Sequence, residues 1–181
     1  MKFLSTLPKV ILLVLMTSIS SCSGSQNRDD KNDKGGQIPL ETYIKVNRSL
    51  VEREQKKIEQ YIKDHNLEME STGTGLWYGV ETRGEGEKIK KGQVITLDYE
   101  IKLMDGTVCY SSEETGPKEF LVGQGGVESG LEEGVLLLKP GAKARFIMPP
   151  HLAHGLIGDD DQIPSRAIIV YEVEVLDVRN N

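Results

Sequence analysis

Residues 92–112 read GQVITLDYEIKLMDGTVCYSS, and the alternation within them decides the fold. Val94, Thr96, Asp98, Glu100 and Lys102 fall on one parity, while Ile95, Leu97, Tyr99, Ile101 and Leu103 fall on the other. A strand turns successive side chains to opposite faces, so the second set forms a continuous apolar face that must cover a core. Asp105-Gly106 suits a tight turn needing positive φ, which folds the long strand back onto a short one as an antiparallel hairpin. Ser111 and Ser112 close it.

Downstream, Lys118–Gly123 is a short strand, and Val127, Leu131 and Val135 then recur at helical spacing, with Leu138 one turn further and Pro140-Gly141 as the stop. A short helix with two interior glycines, Gly130 and Gly134, is intrinsically poor, so packing against a sheet must hold it. Ala142–Met148 alternates as a strand, and Ala167–Val178 is the last one. The long polar loop between them, from Pro149 to Pro164, carries Asp159-Asp160-Asp161 at its tip; a loop of that length in a compact domain usually has a function. Upstream, Gly73–Val80 reads as an entry strand and Thr82–Gly86 as a reversal. No βαβ unit repeats, so the fold class is α+β: an antiparallel twisted sheet wrapped around one short helix.

The N-terminal third has another character. Residues 1–21 read as a secretory signal, with Lys2 and Lys9 as the positive region ahead of the unbroken apolar run Val10–Met16, and Ser20-Ser21 ahead of Cys22. That run is too short for an ordinary membrane span. A small-residue site followed directly by cysteine resembles a lipobox, which implies cleavage before Cys22 and lipidation of its sulfur; the alternative is a non-lipidated signal. Loss of the signal would move the net charge from −6 to about −8. Residues 22–39 are polar and rich in turn formers, the composition of a flexible tether. Over residues 40–68 an amphipathic helix is expected, because Ile44, Val51, Ile58 and His65 recur every seven residues with Leu50, Tyr61 and Ile62 beside them. Its narrow apolar face, within residues 40–66, either forms a homodimer or packs along the helix's own domain. Residues 69–181 make up that domain.

Several functions are excluded by composition. With 28 acidic against 22 basic residues in mixed order, the chain lacks the basic stripe that nucleic-acid binding needs. Its glycine-rich turns lack the Gly-Lys-Ser/Thr and following helix of a phosphate cradle. With Cys22 lipidated, Cys109 has no partner for a disulfide. His151-x-x-His154 has no nearby thiolate or third histidine for zinc, and no motif places a serine or cysteine nucleophile beside His154. No cofactor or metal is expected.

The ordered motifs from Gly73 to Val178 resemble the FKBP-type peptidyl-prolyl cis-trans isomerases. They are KKGQV, DY, L-x-D-G followed by SS, F-x-V-G, VESGLEEGV, GAKARF-x-x-P, AHG and IP. The resemblance implies a pocket for prolyl-peptide segments of exported proteins, with no cofactor. Carried over by motif, its lining is Tyr99, Phe120, Val127, Glu128, Leu131, Ile163 and Tyr171, with the Glu128 amide N–H donating to a substrate carbonyl. The chain also departs from the pattern. Cys109-Tyr110 replaces the family's Phe-Asp, Leu131 the helix tryptophan, His154 the loop tyrosine, and Lys118 a strand aromatic. Tyr110 or His154 would then have to supply the missing donor. Lost aromatic area should weaken apolar macrolide binding, each side chain costing ~1–3 kcal/mol of contact, and imply weak or specialised activity.

With its lipobox, tether and single helix, the chain further resembles the gliding-motility-associated FKBP-like lipoproteins. That resemblance implies a lipid-anchored folding helper in the cell envelope, on the periplasmic face or the outer membrane, serving motility or secretion proteins. Two classes of function stay open: an isomerase, and a non-catalytic chaperone or docking module using the same cleft or the helix.

Overall fold

The computed structural model describes residues 39–181; the signal, Cys22 and the tether up to residue 38 lie outside the described residues. Helix α1 (Leu40–Asp64) comes first, ending four residues short of the expected boundary, and its chain leaves through Asn66 in the left-handed region (φ 51°). Strands β1 (Glu70–Ser71), β2 (Trp77–Thr82), β3 (Gln93–Leu103) and β4 (Val108–Ser111) follow, then a single helical turn α2 (Ser112–Thr115), β5 (Lys118–Leu121), helix α3 (Ser129–Val135), β6 (Lys143–Met148) and β7 (Ile169–Asn180).

All pairings are antiparallel, in the order β1-β2-β6-β7-β3-β4, with β5 also on β3. The hairpin forms as the alternation requires, with Gly106 at φ 89° in the turn. Its outer edge is shared: β5 pairs with Val94–Leu97 and β4 with Glu100–Lys102. That leaves a gap in the ladder at Asp98 and Tyr99, where the Tyr99 N–H donates to Ser112 Oγ at 3.1 Å. Buried backbone donors are rarely left unmatched, and here a hairpin serine replaces the missing strand.

Strand alternation sorts the apolar residues onto two faces. Ile95, Leu97 and Ile101 of β3, Phe146 and Met148 of β6, and Ile169, Tyr171, Val173 and Val175 of β7 join Leu131, Val135 and Leu138 in the main core. On the opposite face Ile147 and Val170, with Ile168, meet Ile58, Tyr61 and Ile62 of α1. The C-terminal half of α1 therefore packs on the back of its own sheet, aided by an ion pair from Glu54 to Arg166. Its N-terminal half does not, and Leu40, Tyr43, Ile44, Val46 and Val51 stay exposed.

The interior glycines of α3 have a packing cause. A Cβ at Gly134 would lie 2.6 Å from Phe146 Cζ, and one at Gly130 would lie 2.8 Å from Met148 Sδ. The sheet approaches the helix too closely for any side chain at these positions. That contact holds a helix whose own propensity is weak.

Candidate active site

The helix-covered face of the sheet brings most of the expected residues together. Tyr99 on β3 and Tyr171 on β7 stand with ring centroids 5.8 Å apart, tilted at 41°. The Tyr99 hydroxyl is hydrogen-bonded to Thr115 Oγ1 at 2.7 Å, so α2 fixes the ring. Tyr171 is fully buried and its hydroxyl has no partner among the described residues; burial, with the nearby Glu128 charge, pushes that phenol far above the ordinary range. Leu131 of α3 lies fully buried in the same core, and Phe120 and Val127 are half-buried against it.

The long loop supplies the remaining positions. Ile163 is buried, held through its own N–H, which donates to Asp159 Oδ1 at 2.8 Å. Gly158, at φ 83°, permits that closure, since a Cβ there would stand 2.2 Å from the Ile163 carbonyl oxygen. The Tyr110 hydroxyl donates to Asp159 Oδ2 at 2.5 Å, which pushes its own pKa up to about 12, with burial adding to the shift. Burial raises the Asp159 carboxyl, but the Tyr110 hydroxyl and the Asp161 and Ile163 N–H groups outweigh it and hold the group below its ordinary range. Cys109 is buried beneath the loop with Sγ 3.6 Å from the Gln162 carbonyl oxygen, and burial pushes its thiol up. Tyr110 thus latches the loop; its hydroxyl is already committed, which leaves His154 as the expected donor still to be placed.

His154 turns to the mouth of α3, its Nε2 3.2 Å from Glu128 Oε1. His151 points elsewhere, Nε2 to the Thr74 carbonyl at 2.9 Å. The two histidines do not converge, and among the described residues no group of three or more His, Cys, Asp or Glu is gathered as for a metal. The Glu128 amide N–H, expected as a donor, meets no acceptor among the described residues.

One neighbour of these residues carries more weight than a missing aromatic suggests. Lys118 of β5 lays its ammonium 4.8 Å from the Tyr99 ring centroid and 5.5 Å from that of Tyr171, within cation–π range. It also faces Glu128 Oε2 at 3.8 Å, an ion-pair separation too long for a hydrogen bond. The Glu128 side chain is only 8% exposed. The departures from the family pattern at Lys118 and His154 therefore meet at one residue, the motif-matched Glu128, which residue-by-residue comparison cannot reveal because the three lie on different elements.

Antiparallel sheet, short covering helix and the Tyr99–Tyr171 pair between them define a prolyl-isomerase-type architecture. The FKBP-type peptidyl-prolyl cis-trans isomerase family model matches residues 85–176, and the chain belongs to that family. It is 38% identical over 112 residues to a probable FKBP-type isomerase of Haemophilus influenzae, covering 61% of this chain and 46% of that one. It is 36% identical over 96 residues to FK506-binding protein 2 of Yarrowia lipolytica, covering 52% and 67% respectively. The crystal structure of FkpA from Escherichia coli superposes with a TM-score of 0.62 at 30% identity, over 77% of this chain and 68% of that one. The chain spans about half the length of the bacterial curated relatives it matches.

Proposed function

We propose that this protein is a peptidyl-prolyl cis-trans isomerase working in the cleft walled by Tyr99, Phe120, Val127, Glu128, His154, Ile163 and Tyr171, with Leu131 beneath and Tyr110 holding the loop. The observation that carries this reading is the Tyr99–Tyr171 pair, with Tyr171 in the buried core and Tyr99 packed against it, within a fold and family built for this reaction. The reaction makes no covalent bond. It must lower a rotational barrier of about 18–20 kcal/mol, and the twisted amide, having lost its resonance polarity, needs less solvation than the planar one. An apolar wall therefore favours the twisted state, while the free Glu128 N–H suits a flanking carbonyl.

In its setting, the protein acts as a folding helper for prolyl segments of exported proteins, of the gliding-motility or secretion machinery. A lipid on Cys22 anchors it in the cell envelope, on the periplasmic face or the outer membrane. The signal-like residues 1–21 and the polar segment 22–39 support that placement. The exposed half of α1 supports a homodimer through residues 40–66.

A second reading, a docking module without turnover, is favoured by Lys118 lying across both ring faces of the cleft. A protease-free exchange assay on proline peptides separates the two. The isomerase accelerates exchange, and Tyr99→Ala lowers kcat/KM at least about tenfold while leaving the protein folded; a folded protein that accelerates nothing is the docking module. Tyr171 is tested as Phe, because Ala at a fully buried position would open a large cavity.

A further inference from the structure

Two buried polar atoms in the cleft have no hydrogen-bond partner among the described residues, Glu128 Oε2 and the Tyr171 hydroxyl. One accepts and the other has a proton to donate. Neither hydrogen-bonds the other, and Lys118 Nζ, at 3.8 Å, serves Glu128 by charge without supplying a hydrogen bond. The side chains are well enclosed: Glu128 is 8% exposed and Tyr171 is fully buried. Native interiors match nearly all such groups, so two together in a binding cleft describe what a ligand should bring.

The cluster also carries a charge argument. Lys118 and Glu128 cancel, so neither sign of substrate charge gains on balance, while either would be desolvated on entry. A large aliphatic substrate side chain would leave both orphaned atoms unmatched and cut Lys118 off from water. A neutral side chain with both a donor and an acceptor matches both.

We infer that Glu128, acting with Tyr171, is a specificity-determining residue that makes this cleft prefer prolyl segments whose flanking residue bears a carboxamide or hydroxyl over those with a large aliphatic side chain. This rests on the cleft being the prolyl-binding site. The choice is one of discrimination and needs no change in the twisting step: a site built to hydrogen-bond its ligand rejects the analogue that cannot.

The test uses the full chain with two peptide series, differing only in Gln, Ser or Leu before or after the proline, read both by exchange kinetics and by calorimetric binding. Wild type should favour Gln or Ser over Leu by about tenfold or more, Glu128→Leu should abolish or reverse that ratio, and Glu128→Gln, which keeps an acceptor, should hold its sign. Because Glu128→Leu removes a buried carboxylate, it should stay folded, and its melting curve is checked. Binding with the polar preference but no exchange would refute the isomerase reading and uphold this one. Exchange or binding with a Leu preference that Glu128→Leu does not move would overturn this inference alone, and binding of neither series would overturn both.

Discussion

Tyr171 and Tyr110 each place a phenol near the cleft, and the two hydroxyls stand in opposite circumstances. The Tyr171 hydroxyl is buried without a partner among the described residues, and an unmatched buried hydroxyl costs roughly 1–3 kcal/mol. Tyr171→Phe should therefore stabilise the ligand-free protein, by about 1 kcal/mol, seen as a higher urea midpoint at unchanged slope. In the same variant the preference for polar flanking residues should weaken. Tyr110 is matched, to an Asp159 that also caps the loop, so Tyr110→Phe should loosen Ile163 and raise KM more than it lowers kcat. The pH dependence has a definite sign. The folded phenol titrates at about 12, above its ordinary 10.0, so the protonated form is the one that folding favours. Its contribution is complete below pH 10 and lost as pH rises toward 12. The stability gap between wild type and Tyr110→Phe should close over that window in a denaturation series, and a gap still constant at pH 12 would show that the hydroxyl does not hold the loop.

Helix α3 shows how an element can look wrong by local rules and still be fixed by its neighbours. Alanine in place of Gly134 gains about 1 kcal/mol of helix propensity. Its Cβ, however, would stand 2.6 Å from Phe146 Cζ, on a ring that is fully buried and has nowhere to go. Overpacking costs about 1–3 kcal/mol or more, so Gly134→Ala should be less stable by about 1–2 kcal/mol, measurable in the urea midpoint. Strand β3 and its turn were legible in the sequence because their signal is local: period two on a single segment, and a glycine where φ must be positive. The weak α3, with its need for a sheet, was legible for the same reason. What α1 would pack against was not, because its partners Ile147 and Val170 are the minority parity of strands whose other face builds the main core. The Lys118–Glu128–His154 cluster was hidden likewise, since contacts between β5, the mouth of α3 and the loop leave no sequence spacing to read.

Across the whole molecule, α1 is one apolar stripe with two fates. Ile58, Tyr61 and Ile62 meet the back of the sheet, whereas Leu40 and Ile44, 74% and 51% exposed, continue the stripe with nothing over them among the described residues. Ile58→Ala, at a position 1% exposed, should cost the fold about 2–4 kcal/mol. Serine at Ile44 and Val51 should change stability by less than about 0.5 kcal/mol in a monomer. If a second copy covers the free half, the same pair of serines should instead abolish association, because a narrow helical seam depends on its few apolar contacts. Sedimentation of the full protein from about 1 to 100 μM should then show a concentration-dependent dimer for wild type and a monomer for the double variant, with any acceleration of exchange in short proline peptides the same for both. A wild type that stays monomeric throughout that range would remove the homodimer and leave the exposed stripe without a role in self-association. The cleft would be unaffected by that result, since Tyr99 and Tyr171 lie in the core on the sheet face opposite the one that α1 covers.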